Sequence, residues 1–269
     1  MVQFAANLSM LFSEVDFLDR FEAAAKAGFK GVEYLSPYDF TAGEISEKLK
    51  SNGLKQVLFN TPAGDWAAGE RGTACDPSRV DEFHDGVAKA IEYAGALGCD
   101  QLHCMAGKAP EGADAGALKQ TYVDNLKFAS AEMGKVGIKC LAEMINTRDI
   151  PGFYLNTSKQ AEEILQAVGS DNLYIQYDIY HMQIMEGDLA PTMERLLPKI
   201  AHMQLADTPG RHEPGTGEIN YAFIFRELER LGYAGWVGCE YVPAATAGDG
   251  LGWFKDLLPP GDHEAPRHS

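Results

Sequence analysis

The chain has 269 residues, the length of one large α/β domain, and can bury about three quarters of the surface its unfolded form exposes. Apolar residues make up 45%, which argues against disorder, and the net charge of −16 argues against a nucleic-acid partner, whose phosphates need a positive patch. No run approaches the ~20 apolar residues needed to cross a bilayer, so no membrane partner is expected, and the acidity reads as a solubility feature.

Strand-like and helix-like stretches alternate along the chain. Residues 4–8 are strand-like. Residues 16–27 read as a helix, because Phe17, Leu18, Phe21 and Ala24 recur at helical spacing and Gly28 stops it. A strand over 31–35 follows. Thr41 and Glu44 form a capping box for a helix ending near Asn52 and Gly53. Residues 54–60 are a third strand, and a loop rich in Gly and small residues covers 61–77. The spacing predicts a long amphipathic helix over 79–97, a strand over 100–105 and a helix over 118–133. In the second half, strands are expected over 138–143, 173–178, 200–205 and 236–240. Between them lie a helix capped by Thr157 or Ser158 and reaching Val168, a helix over 189–197 and one over 221–231. A short helix over 251–258 comes last. Eight βα units in this length make a TIM barrel, a single catalytic domain over 1–258. Residues 259–269 form a Pro-rich polar tail expected to be disordered.

The five cysteines (Cys75, Cys99, Cys104, Cys140 and Cys239) are odd in number and include no CxxC pair. The N-terminus has neither a basic segment nor a long apolar one, so no signal peptide is expected. Together these features predict a reduced, cytoplasmic protein.

Four of the late strand-like runs end on or near Glu143, Asp178, Gln204 and Glu240, spaced 35, 26 and 36 residues apart. Each gap is about one crossover helix with its loops. Neighbouring parallel strands would bring three carboxylates and one amide oxygen to the C-terminal face, where barrels place their chemistry. Buried acids so close repel one another unless a cation joins them. An all-oxygen set favours Mg²⁺ or Mn²⁺ over Zn²⁺, and four protein oxygens leave about two octahedral positions for adjacent substrate oxygens. Each acid taken singly is equally well read as a strand-end cap or an ion-pair partner.

The segments AANLSMLF (5–12), GDWAAGERG (64–72), IQYDIYHMQ (175–183), EPGTGEINY (213–221) and WVGCEY (236–241) resemble the hydroxypyruvate isomerase family. That family lies among the xylose isomerase-like TIM barrels, and the likeness runs from residue 1 to about 257. The resemblance implies a divalent metal on Glu143, Asp178, Gln204 and Glu240. It also implies acid and base roles for Glu143 and Glu240 in an enediolate proton transfer between hydroxypyruvate and tartronate semialdehyde. His181 matches a position that binds substrate oxygen. One departure is Val242, where family members commonly carry Lys, and this keeps a 2-oxo-tetronate or a related sugar isomerase or epimerase as the alternative.

Arg211, in the loop after the seventh strand, and Arg71 are the candidates for a bidentate grip on a substrate carboxylate. Glu70 is expected to pair with an arginine and Asp207 to orient His202 or Arg211, while His103 and His202 are expected to face inward as barrel residues. Trp66, Phe12, Phe59 and Tyr241 are candidate pocket walls. No Rossmann fingerprint or P-loop occurs, so no nicotinamide or flavin is expected. A multi-zinc nuclease on the same barrel would need a histidine-rich cluster and a basic groove. This chain has seven histidines, two of them in the tail. The expected partner is therefore a small hydroxy-keto acid, with room for a homo-oligomer.

Overall fold

A computed structural model describes residues 2–255. Eight parallel strands close into a barrel in chain order. They are β1 (Gln3–Asn7), β2 (Gly31–Glu33), β3 (Lys55–Asn60), β4 (Gln101–His103), β5 (Lys139–Glu143), β6 (Leu173–Asp178), β7 (Ile200–Leu205) and β8 (Trp236–Cys239). Closure comes from β1, whose Ala5 pairs with Gly31 of β2 on one side and Gly238 of β8 on the other. The tail at 259–269 and the end of the helix expected over 251–258 lie outside the described residues.

The helices wrap the barrel as α1 (Arg20–Lys26), α2 (Ala42–Ser51), α3 (Val80–Leu97), α4 (Ala115–Gly134), α5 (Ser158–Val168), α6 (Ile179–Met185), α7 (Leu189–Leu196), α8 (Tyr221–Arg230) and α9 (Gly252–Lys255). Their boundaries follow local chemistry. Thr41 and Glu44 make the reciprocal capping box on α2, and the Thr157 hydroxyl, not Ser158, accepts from the Gln160 N–H at the start of α5. The helix α4 starts three residues earlier than its apolar spacing suggests, because Asp114 caps it by accepting from the Ala117 N–H. The stretch expected as one helix over 16–27 begins as a 3₁₀ turn (Phe17–Asp19) before α1.

The largest departure from expectation is α6. Its seven residues are too few to show an amphipathic period. What starts it is Asp178, whose side chain accepts from the backbone N–H groups of Tyr180 and His181.

The main apolar core fills the space between barrel and helices. A second, smaller cluster of Ala5, Val57, Leu58 and Leu141 packs with Tyr174, Ala201 and Trp236 near the strand beginnings. It fills that part of the barrel interior, and the cavity described below lies where the strands finish.

Candidate active site

Glu143 closes β5, Asp178 closes β6, and Glu240 follows β8 directly. All three carboxylates are buried. One ligand atom from each, together with one from His181 on α6, lies within 4.8 Å of the others. The oxygens are unequally provided for. Asp178 Oδ1 is used as the helix cap, while Oδ2 stands 3.5 Å from His181 Nε2 and 3.5 Å from Arg211 Nη2. Glu240 Oε2 accepts from Arg211 Nη2 at 2.5 Å, and its Oε1 accepts from Asn7 Nδ2 at 3.3 Å. Among the described residues, none donates a hydrogen bond to Glu143 Oε1.

Burial first, then the neighbouring Glu240 and Asp178, pushes the Glu143 carboxyl well above the usual carboxylate range. Glu240 is pushed up to about 8, by burial against the opposing pull of Arg211, with Asp178 and Glu33 adding to the rise. Burial likewise raises Asp178, against Arg211 and the two capping N–H groups. Burial, the nearby Arg211 and His103 hold His181 well below its usual range.

Gln204, near the end of β7, faces the same cavity. Its Nε2 donates to Glu33 Oε1 at 2.8 Å and its Oε1 accepts from Gln176 Nε2 at 2.6 Å. That leaves one lone pair of the amide oxygen for a further partner. Glu33 also accepts from His202 Nε2 at 2.7 Å and from Asn7 Nδ2 at 3.0 Å. Its carboxylate needs Gly238 opposite, because a Cβ there would stand 2.2 Å from Glu33 Oε1. Glu33, Asn7 and Gln176 are absent from the expected site. The available signal for Glu33 was an acid inside the apolar strand run over 31–35.

The cavity has a volume of about 220 Å³. Arg211, His181 and Arg71 all line it, so the three expected substrate contacts converge on one space. Arg71 stacks its guanidinium 3.8 Å above the Trp66 ring, and Nη1 donates to the Trp66 carbonyl at 3.0 Å. Glu70 pairs with Arg79, as its loop position suggests. His103 and His202 are buried inside the barrel.

Two expectations are corrected. Asp207 orients neither His202 nor Arg211; its carboxylate accepts from the backbone N–H groups of Thr208, Gly215, Gly217 and Ile219, and so holds the loop together. Phe12, Phe59 and Tyr241 wall the core, not the cavity. Phe12 packs on Phe29, Phe59 on Tyr34, and the Tyr241 hydroxyl donates to the Gly250 carbonyl. Val242 is half exposed and lies off the cavity lining.

Three buried carboxylates with an unpartnered oxygen, beside an amide oxygen with a free lone pair, are compatible with a divalent metal. The profile of the xylose isomerase-like TIM barrels matches residues 21–257. The chain belongs to that family. It is 54% identical to a hydroxypyruvate isomerase of Escherichia coli K12, over 94% of this chain and 98% of that one. A 2-oxo-tetronate isomerase of Cupriavidus necator is 49% identical, over 96% and 99%. A crystal structure from Brucella melitensis, named as an AP endonuclease of family 2, superposes with a TM-score of 0.94 at 47% identity, covering 96% of this chain and all of that one. Within the family, this chain is an isomerase.

Proposed function

We propose that the chain interconverts hydroxypyruvate and tartronate semialdehyde, using Mg²⁺ or Mn²⁺ held by Glu143, Asp178, Gln204 and Glu240. The observation that carries this reading is the buried acid cluster with its unpartnered Glu143 oxygen. Such a cluster is stable as three anions only around a cation. When bound, that ion would supply Lewis-acid polarisation of the substrate carbonyl and charge balance for the enediolate.

The side chains supply the rest. Arg71 and Arg211 bind the carboxylate of the substrate and offset the repulsion of an acidic protein for an acidic ligand. One of Glu143 and Glu240 takes the proton from C3, leaving an enediolate across C2 and C3. The pair returns a proton to C2, while the hydroxyl proton passes from the C3 oxygen to the C2 oxygen. No atom is gained or lost. His181 meets the oxygen that carries the developing charge. Trp66 and the apolar wall around Ile145 and Ile150 exclude water from the enediolate.

The endonuclease name of the Brucella structure finds little support in this chain. A net charge of −16 disfavours a phosphodiester polymer. Five buried free cysteines, with Cys104 and Cys140 sulfurs 3.7 Å apart, support a reducing, cytoplasmic setting.

The test is NMR of the purified protein with Mg²⁺ or Mn²⁺ and hydroxypyruvate in D₂O. Deuterium entering at C3, with tartronate semialdehyde formed, is expected. Arg71→Ala should lower kcat/KM about 10- to 100-fold, the worth of one charged hydrogen bond. Full activity on hydroxypyruvate in separate Arg71→Ala and Arg211→Ala variants would refute an acid substrate.

A further inference from the structure

His181 is one of the four groups close enough to share a metal ion. Whether it can do so depends on which ring nitrogen carries its proton, and that is set by a residue outside the acid cluster. Asn146 lies just beyond β5 and is fully buried. Its Oδ1 accepts from the backbone N–H groups of Arg148 at 3.0 Å and Asp149 at 2.8 Å. Its Nδ2 donates to Asp149 Oδ2 at 3.1 Å, an oxygen that also accepts from the Tyr180 hydroxyl at 2.7 Å. The amide therefore has one permitted orientation. Turning it over would set its NH₂ against two N–H donors and its carbonyl oxygen against a carboxylate.

The second hydrogen on Asn146 Nδ2 points at His181 Nδ1, 2.7 Å away. A donor at that distance requires a lone pair on Nδ1. The ring proton must then reside on Nε2, which faces Asp178 Oδ2 at 3.5 Å and Glu143 Oε1 at 3.8 Å. A doubly protonated ring is excluded by the same contact, because an Nδ1–H would meet an N–H.

We propose that Asn146 is a positioning residue that locks His181 as the neutral Nε2–H tautomer, making the imidazole a hydrogen-bond donor into the cavity and not a metal ligand. With Nδ1 engaged and Nε2 protonated, the ring has no lone pair for a cation, and the metal falls to Glu143, Asp178, Glu240 and the Gln204 oxygen. The catalytic part rests on the isomerase reading above. A neutral N–H can polarise a carbonyl and stay hydrogen-bonded to the enediolate oxygen without surrendering its proton. The tautomer itself does not depend on what the substrate is.

The primary test is ¹⁵N–¹H correlation NMR of the imidazoles in the wild-type protein, metal-free and with Mg²⁺, with the His181 signals assigned by their loss in His181→Gln. A bare Nδ1 and a protonated Nε2 are expected, unchanged between about pH 6 and about pH 8, where a free histidine would titrate. A bare Nε2, a doubly protonated ring in that range, or an Mg²⁺-induced shift diagnostic of direct coordination would overturn the proposal. The paired change Asn146→Asp with Asp149→Asn keeps an oxygen for the two backbone N–H groups, avoids opposing two carboxylates, and turns the contact to His181 into an acceptor. It should invert the tautomer and lower kcat on hydroxypyruvate about 10²-fold with little change in KM, the usual loss of one donor to a developing oxyanion. An unchanged tautomer in this variant would equally overturn the role of Asn146. The NMR signature needs no turnover, so it stands or falls separately from the assigned substrate.

Discussion

Glu33 and Glu143 are both buried at the ends of barrel strands, and they differ in how their charge is met. Glu33 accepts hydrogen bonds from His202, Gln204 and Asn7. Glu143 has one oxygen without any partner and two further acids beside it. A carboxylate with three donors is a completed structural feature. One repelled by its neighbours and left short of a donor is poised for a ligand that the protein does not itself supply. On the proposed function, the contrast separates the part of the barrel that holds the site in shape from the part assigned to the chemistry.

The sharpest way to break this contrast is to neutralise each acid in turn. Glu143→Gln should lower turnover by about 10³-fold or more, since on the proposed function it removes both a ligand and an acid–base group. The metal-free protein should melt no lower, and preferably higher, because a repelled charge has been deleted. Steady-state kinetics and thermal melts in chelator measure both, and a large fall in melting temperature would show that Glu143 is structural like Glu33.

The cation itself should account for the next largest effect. At a metal concentration about 100-fold above Kd, the wild-type protein should gain about 2.7 kcal/mol of stability. Asp178→Asn should lose most of that gain. A metal-independent melt in the wild-type protein would contradict the proposed ligand set.

Glu33→Gln should do the opposite of Glu143→Gln. It places an NH₂ among three donors and should destabilise the fold by about 1–3 kcal/mol. Turnover should fall far less than in Glu143→Gln, through loosened Gln204. Melting and kinetics on the same sample test this, and a loss of activity with no loss of stability would place Glu33 in the chemistry.

The smallest effect is on pH dependence. Glu240 is held at about 8 in the folded, metal-free protein against 4.5 ordinarily. Between those values the folded state binds more protons than the unfolded one, so stability falls as pH rises through that window. Melting temperature without metal should therefore decline from about pH 5 to about pH 8, and the stabilisation by added metal should grow over the same range. Glu143→Gln should flatten the decline. A melting temperature that rises with pH would contradict the burial and crowding that raise Glu240.

Much of this was legible in the sequence because it was written in short-range signals. The capping box at Thr41 and Glu44 and the glycine stops marked the helices, and acids ending apolar runs marked the cluster. The helix α6 was invisible, since its start depends on a side chain that serves the site as well, Asp178. The polar network was invisible for a different reason. Asn7 and Glu33 are brought to Glu240 and Gln204 only by barrel closure, which places β1 beside β8, while Gln176 and Asn146 meet Gln204 and His181 across the neighbouring pairs β6–β7 and β5–β6. Asp207 was misread because a loop-binding carboxylate and a catalytic one look alike without the four N–H groups that surround it.

Direct Mn²⁺ binding to the chelator-stripped protein, followed by electron paramagnetic resonance alongside hydroxypyruvate turnover, tests the central claim. One tightly held ion per chain is expected, with turnover lost on stripping, restored as that ion returns, and ion and activity both severely reduced in Glu143→Gln. Full turnover by the stripped protein, or Mn²⁺ binding indifferent to Glu143, would contradict a cation shared by the three acids.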